Sequence, residues 1–178
     1  MVRVICAGFG GQGVLTAGLV LAEVAMNYGK KVTWVPSYGS EMRGGTASCR
    51  LRIRDTEILN PFFEEADLLI AMNQNSLDTL QGQVVQDGVI VSNSTMVNVS
   101  GLRSGVRVVE TPATAVAAEL KNPRGANLVM LGAAVAAIGL FPAEAFADGI
   151  DAYFAGKGHG NPLNRACFLR GAATAGRG

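Results

Sequence analysis

The sequence predicts an α/β fold of Rossmann-like, three-layer form, with a mostly parallel sheet and helices on both faces. Three observations predict it. Short segments rich in Val and Ile recur at 2–7, 31–36, 46–54, 67–72, 88–93 and 106–110, and helical segments fall among them at 13–28, 74–82, 113–121, 127–140, 142–154 and 162–173. That alternation is the mark of parallel strands joined by crossover helices. The first strand runs straight into Gly8-Phe9-Gly10-Gly11-Gln12-Gly13 and then an apolar helix, which is G-x-G-x-x-G in strand–turn–helix context. At 178 residues the chain fits one domain, expected over 1–172, with 173–178 as a flexible tail.

Glycines in the first turn let the backbone bend tightly and approach a ligand or another chain without a Cβ in the way. The helix behind them turns its partial positive end toward the turn, which suits an anionic group. A dinucleotide site would add an acidic residue at the tip of the second strand, roughly 20 residues past the glycines. Here that strand reads Lys31-Val32-Thr33-Trp34-Val35 and ends in Pro36-Ser37-Tyr38-Gly39, with no Asp or Glu. The missing acid counts against NAD or FAD. A free-standing dinucleotide-binding protein therefore stands as the alternative reading only.

The third strand alternates. Ala47, Cys49, Leu51 and Ile53 face one way, while Ser48, Arg50, Arg52 and Arg54 face the other. Such an arginine row is a solvated or subunit-pairing face, or a grip for phosphate or an acidic partner. Helix 13–28 carries only Thr16, Glu23 and Asn27 as polar side chains, and 128–140 has no polar stripe. A surface helix shows a wider polar face, so both helices are expected to be buried nearly all round, as central helices or against another subunit.

Charge excludes several classes of function. With 15 basic and 14 acidic residues the net charge is +1, which gives no field to recruit nucleic acid or anionic lipid. Only 16% of residues are charged, against about 25% for an average globular chain, so partner chains are expected to cover much of the surface. Cys6, Cys49 and Cys167 show no C-x-x-C spacing, which speaks against an iron–sulfur cluster, a zinc ribbon or a disulfide scaffold in this chain. The first strand leaves no room for a signal peptide, and 128–140 is too short to span a bilayer. A soluble, cytoplasmic protein is expected. His159 sits alone in a glycine loop without a partner at metal-ligand or triad spacing, and is read as non-chemical. Asn73, Gln74 and Asn75 end a strand, where they cap the next helix or reach the ligand crevice.

The most informative loop is Pro36-Ser37-Tyr38-Gly39-Ser40-Glu41-Met42-Arg43-Gly44-Gly45-Thr46. It is too polar for core and too rich in glycine for a mere connector. In a doubly wound sheet it would share the carboxyl ends of neighbouring strands with the first turn, where ligands bind.

Together, Gly8–Gly13 and Ser37–Thr46 resemble the gamma subunit of the 2-oxoacid:ferredoxin (2-oxoacid:acceptor) oxidoreductases, a domain also found within longer pyruvate:ferredoxin oxidoreductases. Pro61-Phe62, Ala66-Asp67-Leu68-Leu69-Ile70-Ala71-Met72-Asn73-Gln74 and Asn127-Leu128-Val129-Met130-Leu131-Gly132 fit the same family, in order, across residues 1 to about 172. The resemblance implies a multi-subunit enzyme that oxidatively decarboxylates a 2-oxo acid, joins the acyl group to coenzyme A and passes electrons to ferredoxin. It implies alpha, beta and small iron–sulfur delta-type partners, which would carry thiamine diphosphate with Mg and the iron–sulfur clusters. This chain lacks the G-D-G…N and cluster motifs, so none of these is expected on it, and no catalytic residue is assigned to it. The small subunit of an indolepyruvate-type oxidoreductase is a further alternative.

The cofactor-facing residues expected from the two loops are Gly10, Gly11, Gln12 and Gly13 with Ser37, Tyr38, Glu41, Arg43, Gly44 and Gly45. The amides of Gly10, Gly11 and Gly13 are candidates for a phosphate or a partner carboxylate, and Arg43 for a bidentate charged contact that Glu41 orients. Gln12, Ser37 and Tyr38 would supply neutral hydrogen bonds, and Gly44 and Gly45 close approach. The same loops would serve equally to lock the subunit onto its neighbour. A 2-oxoglutarate or branched-chain substrate is favoured weakly.

Overall fold

The computed structural model describes residues 1–39 and 45–175. Ser40, Glu41, Met42, Arg43 and Gly44 lie outside the described residues, as do residues 176–178.

Six strands form one sheet in the order β2-β3-β1-β4-β5-β6. They are β1 (Val2–Phe9), β2 (Lys31–Tyr38), β3 (Thr46–Arg54), β4 (Ala66–Ala71), β5 (Val84–Asn93) and β6 (Arg107–Thr111). The helices are α1 (Val14–Asn27), α2 (Gln74–Leu80), α3 (Ala113–Glu119), α4 (Ala126–Ile138), α5 (Ala143–Gly156) and α6 (Pro162–Ala175). Every predicted element is present. The last helix reaches three residues into the segment expected as a tail.

The half β1-β4-β5-β6 is parallel, while β3 pairs antiparallel with both β1 and β2. β1 and β2, expected as neighbours, are therefore separated by β3. The reason is length: the few residues between Tyr38 and Thr46 close a hairpin, whereas a parallel crossover needs a dozen or more. Gly39 N donates to Thr46 O at 2.8 Å within this connection. Because β3 runs opposite to β1, the hairpin end and the glycine turn still share one edge of the sheet.

The two faces are covered unequally. On one face Val4, Cys6, Cys49, Leu51, Leu68, Ile70 and Val91 form a continuous core with residues of α1, α3, α4, α5 and α6. On the other, Ile5, Ala7, Leu69, Ala71 and Ile90 pack under α2 and under Phe63, Val97, Val99 and Leu102 from flanking segments.

Helix α4 is the centre of the larger layer. Ala126 to Val135 is buried without a break, between the sheet and the helices α1, α3 and α6. Its apolarity is thus accounted for inside the chain and needs no second subunit. Each large side chain it hides contributes about 1.5–3 kcal/mol. The approach of α6 depends on glycine: a Cβ at Gly132 would run into the Phe168 carbonyl oxygen, and one at Gly171 into that of Val129. Helix α1 differs. It buries Val14, Val20, Leu21 and Val24 yet leaves Leu19 and Met26 exposed.

The arginine row is occupied largely from within. Arg50 donates to Phe63 O at 3.2 Å and to Gln83 Oε1 at 2.6 Å, and Arg52 donates to Phe62 O at 2.9 Å. Both guanidinium groups lie over the Phe63 ring, at 5.4 and 5.7 Å from its centre. They fasten a strap, residues 60–63, across the second face. Burial pushes the Arg50 guanidinium below its ordinary range.

Candidate functional site

The glycine turn is held by its own glutamine. Gln12 Oε1 accepts from Phe9 N at 2.7 Å and from Asn73 Nδ2 at 3.0 Å, while Gln12 N donates to Phe9 O at 3.1 Å. The Gln12 carboxamide oxygen thus braces the turn, and the Nε2 expected to donate to a ligand lies outside that brace. That nitrogen lies 3.7 Å from Met96 Sδ. Gly8 is required by crowding, since a Cβ there would sit 2.6 Å from Val14 Cγ2 and 2.7 Å from Gln12 Oε1.

Gly11 and Gly13 adopt left-handed backbone, with φ of 95° and 73°, which non-glycine residues take only at a cost. Gly13 is the N-cap of α1. It has no side-chain cap, and the first turn of the helix carries no acidic residue. Helices normally satisfy these first amides with Ser, Thr, Asp or Asn.

The two loops meet. Gly10 N donates to Gly45 O at 3.0 Å, so the turn and the start of β3 are joined by backbone. Ser37 and Tyr38 end β2 at the same edge, and Tyr38 is 69% exposed. The structure therefore brings Gly10, Gly11, Gln12, Gly13, Ser37, Tyr38 and Gly45 to one end of the sheet. Glu41, Arg43 and Gly44, expected as contacts, fall outside the described residues.

Buried amides line the ends of the parallel strands. Asn73, after β4, accepts from Ser76 N at 2.9 Å and so caps α2, one of the two roles expected for it. Asn93, ending β5, donates to Thr114 Oγ1 at 2.8 Å and accepts from Thr114 N at 3.3 Å. Below the turn, Cys6 and Cys49 are buried register partners. The hydrogen bond to Cys49, reinforced by burial, pushes the Cys6 thiol well above its ordinary range, so it stays neutral as a small core residue.

On its other side, the glycine turn borders a cleft of about 500 Å³. Gly11, Gly13 and Thr16 form one wall, Asn122, Arg124 and Asn127 a second, and His159, Asn161 and Asn164 a third. Asn127 Nδ2 donates to Gly13 O at 2.9 Å, and Asn122 Nδ2 donates to Asn164 Oδ1 at 3.0 Å, which fixes two of the walls. Arg124 and the asparagines at 122 and 164 were not legible as site residues, because no periodicity or motif marks them. His159, read as non-chemical, lies in this cleft. Among the described residues, no three His, Cys, Asp or Glu side chains converge as metal ligands.

A glycine turn after the first strand, backed by a hairpin at the same sheet edge, defines a Rossmann-like module. Comparison with known proteins gives that module its family. The chain belongs to the pyruvate ferredoxin/flavodoxin oxidoreductase family, whose model matches residues 3–174, and it is of the gamma type. It is similar to ketoisovalerate oxidoreductase subunit VorA of Methanothermobacter thermautotrophicus, 43% identical over 158 residues that make up 88% of this chain. The chain spans 32% of that longer protein. It is also similar to the crystal structure of the keto/oxoacid ferredoxin oxidoreductase gamma subunit from Geobacter sulfurreducens, with a TM-score of 0.81 and 28% identity, each chain covered in full at 100%. A third likeness, in fold, is to the 2-oxoglutarate:ferredoxin oxidoreductase of Magnetococcus marinus solved with 2-oxoglutarate, coenzyme A and succinyl-CoA bound. There the TM-score is 0.86 at 21% identity, over 98% of this chain and 31% of the other. No helix among the described residues is long and apolar enough to cross a membrane.

Proposed function

We propose that this chain is the gamma subunit of a multi-subunit, thiamine-diphosphate-dependent 2-oxoacid:ferredoxin oxidoreductase, in which its two glycine-rich loops border the composite active site and the path of coenzyme A. The observation that carries the reading is the Gly10 N to Gly45 O hydrogen bond of 3.0 Å, which makes one continuous backbone rim of two loops distant in sequence. With the Gly10 N–H spent on Gly45, the backbone amides of Gly11 and Gly13, a small-residue rim and Arg43 suit the phosphates of coenzyme A. Thiamine diphosphate with magnesium, and the iron–sulfur clusters, reside on alpha, beta and delta-type partners, and ferredoxin accepts the electrons. Thiamine diphosphate supplies the carbanion chemistry. This chain's own part is to position coenzyme A and exclude water at the rim. The 2-oxo acid is of the 2-oxoglutarate or branched-chain class, selected by the partner subunits, and the complex works in the cytoplasm.

Replacing Arg43 by Ala in the assembled enzyme tests the coenzyme role. A several-fold rise in the KM for coenzyme A, with assembly intact, is expected. An unchanged KM in a normally assembled complex removes it. The exposure of Tyr38 and Met96 beside the turn, 69% and 49%, favours a second reading in which the loops only lock the subunit to its neighbour. That reading expects Tyr38→Ala to disrupt assembly without moving the KM.

A further inference from the structure

We infer that Cys6 and Cys49 form a redox modification site, at which a peroxide joins them in a reversible disulfide that staples the β2–β3 hairpin to the parallel half of the sheet. The two are register partners on the antiparallel strands β1 and β3. Partners of that kind carry their side chains on one face, with Cα atoms about 4.5 or 5.5 Å apart according to the ladder site. Both separations fall within the roughly 4.4–6.8 Å that a disulfide spans. The two side chains enter the core on the α1 face and hydrogen-bond each other through their thiols.

The packing around them makes room for sulfur. Cys49 Sγ lies 3.9 Å from Val14 O, against α1, where a Cβ on Gly18 would come within 2.4 Å of it. Glycine at 18 is what admits that atom. The remaining cysteine, Cys167 on α6, is equally buried but has Asn122 Nδ2 as its neighbour, 3.6 Å from its sulfur. Burial alone therefore does not single out the pair; their opposition across the ladder does.

In the closed core Cys6 and Cys49 are 1% and 0% exposed, so neither sulfur meets an oxidant. The way in is the hairpin, whose outer strand β2 is an edge of the sheet. Edge elements open locally at a lower free energy than the centre of a core. Opening lets Cys49 ionise, and its thiolate attacks the peroxide. The O–O bond breaks, giving Cys49 sulfenic acid and a hydroxide that recombines with the thiol proton as water. The Cys6 sulfur then attacks the sulfenic sulfur; the S–S bond forms, and hydroxide leaves with the Cys6 proton as a second water. Two electrons pass from the thiol pair to one peroxide. Cys6 precedes Gly8 and Cys49 follows Gly45 on the same two strands, so the staple closes behind the Gly10–Gly45 bond. The inference holds whether or not that rim borders coenzyme A.

The test is peptide mapping of the purified complex after incubation with hydrogen peroxide, with free thiols blocked by N-ethylmaleimide on denaturation. The expected product links the peptides that hold Cys6 and Cys49, leaves Cys167 alkylated, and reverts with dithiothreitol. Urea below the unfolding transition is expected to speed its formation severalfold, because opening limits the reaction. Hydrogen exchange at the β3 amides is expected to be slower in the oxidised complex than in the reduced one. Cys6→Ala should abolish the link; if that variant does not assemble, the wild-type map decides alone. Loss of all three thiols at one rate, sulfinic acid at Cys6 or Cys49 in place of the link, or a link formed only after the complex unfolds overturns the proposal. Survival of both thiols overturns it as well.

Discussion

Asn127, at the start of α4, donates from Nδ2 to the carbonyl of Gly13 at 2.9 Å, across 114 residues of chain. The same side chain accepts from Leu128 N through Oδ1, also at 2.9 Å. It therefore ties the opening of the most buried helix to the cap of the helix behind the glycine turn. Asn127→Ala is expected to cost about 1 kcal/mol, a fall of about 2–4 °C in Tm by calorimetry.

Gly13→Ala is a harsher change. Its φ of 73° is left-handed, and the new Cβ would sit 2.6 Å from Asn127 Nδ2. A loss of at least about 2 kcal/mol is expected. In the double variant the Asn127 amide is gone, so the combined loss is expected to be smaller than the sum of the two. Additive losses in urea unfolding would show that the two residues do not act as a pair.

Glycine at the α4–α6 crossing reverses the usual propensity. Alanine favours a helix by roughly 0.5–1 kcal/mol over glycine. At Gly132 and Gly171, however, the Cβ would run into a carbonyl oxygen of the opposite helix. Gly132→Ala or Gly171→Ala is expected to destabilise by about 1–3 kcal/mol or to prevent folding. Gly156→Ala, with no atom within 4 Å of its Cβ, is expected to be neutral or stabilising.

Asp67 gives the fold an acid-sensitive clasp. Burial alone would raise its carboxyl, but bonds from Arg3 N at 2.7 Å, Arg3 Nε at 3.1 Å and Arg3 Nη2 at 2.8 Å hold it below the usual carboxylate range. A depressed folded pKa contributes stability above the unfolded value, near pH 4, that is lost as pH falls through the folded one. The side chain is a third exposed, so the contribution is about 0.5–1 kcal/mol. Urea midpoints for wild type and Asp67→Asn should differ at pH 7 and converge as pH falls below the usual carboxylate range.

The strap over the second face should loosen on its own. Arg50→Ala removes two hydrogen bonds and the stacking over Phe63, and a loss of about 1–2 kcal/mol is expected with faster proteolysis within 57–63. Arg54→Ala, which removes no such contact among the described residues, should stay within about 0.5 kcal/mol.

Most elements were legible because their signals are local. Val/Ile runs marked the strands, and the glycines after β1 marked the turn. The apolar length of α4 was legible too, but what covers it was not, because burial by α6 depends on residues far apart in the chain, such as Gly132 with Phe168 and Val129 with Gly171. The position of β3 was open to inference from the shortness of 39–45, though alternation of strand and helix pointed the other way. Gln12 was read as a donor through its amide nitrogen; that its oxygen also braces the turn, accepting from Phe9 and Asn73, shows only in the fold. The cleft was hidden for a similar reason. Thr16, Arg124 and His159 share no pattern until α1, α4 and the α5–α6 connection converge.

The antiparallel seam between β1 and β3 has an evolutionary consequence. The hairpin β2–β3 lies at one edge of the sheet, joined to the parallel half by the β1–β3 hydrogen bonds and by the packing of Cys49, Leu51 and Ile53 in the core. Insertions or deletions at the hairpin's tip can accumulate without disturbing the register of β1, β4, β5 and β6.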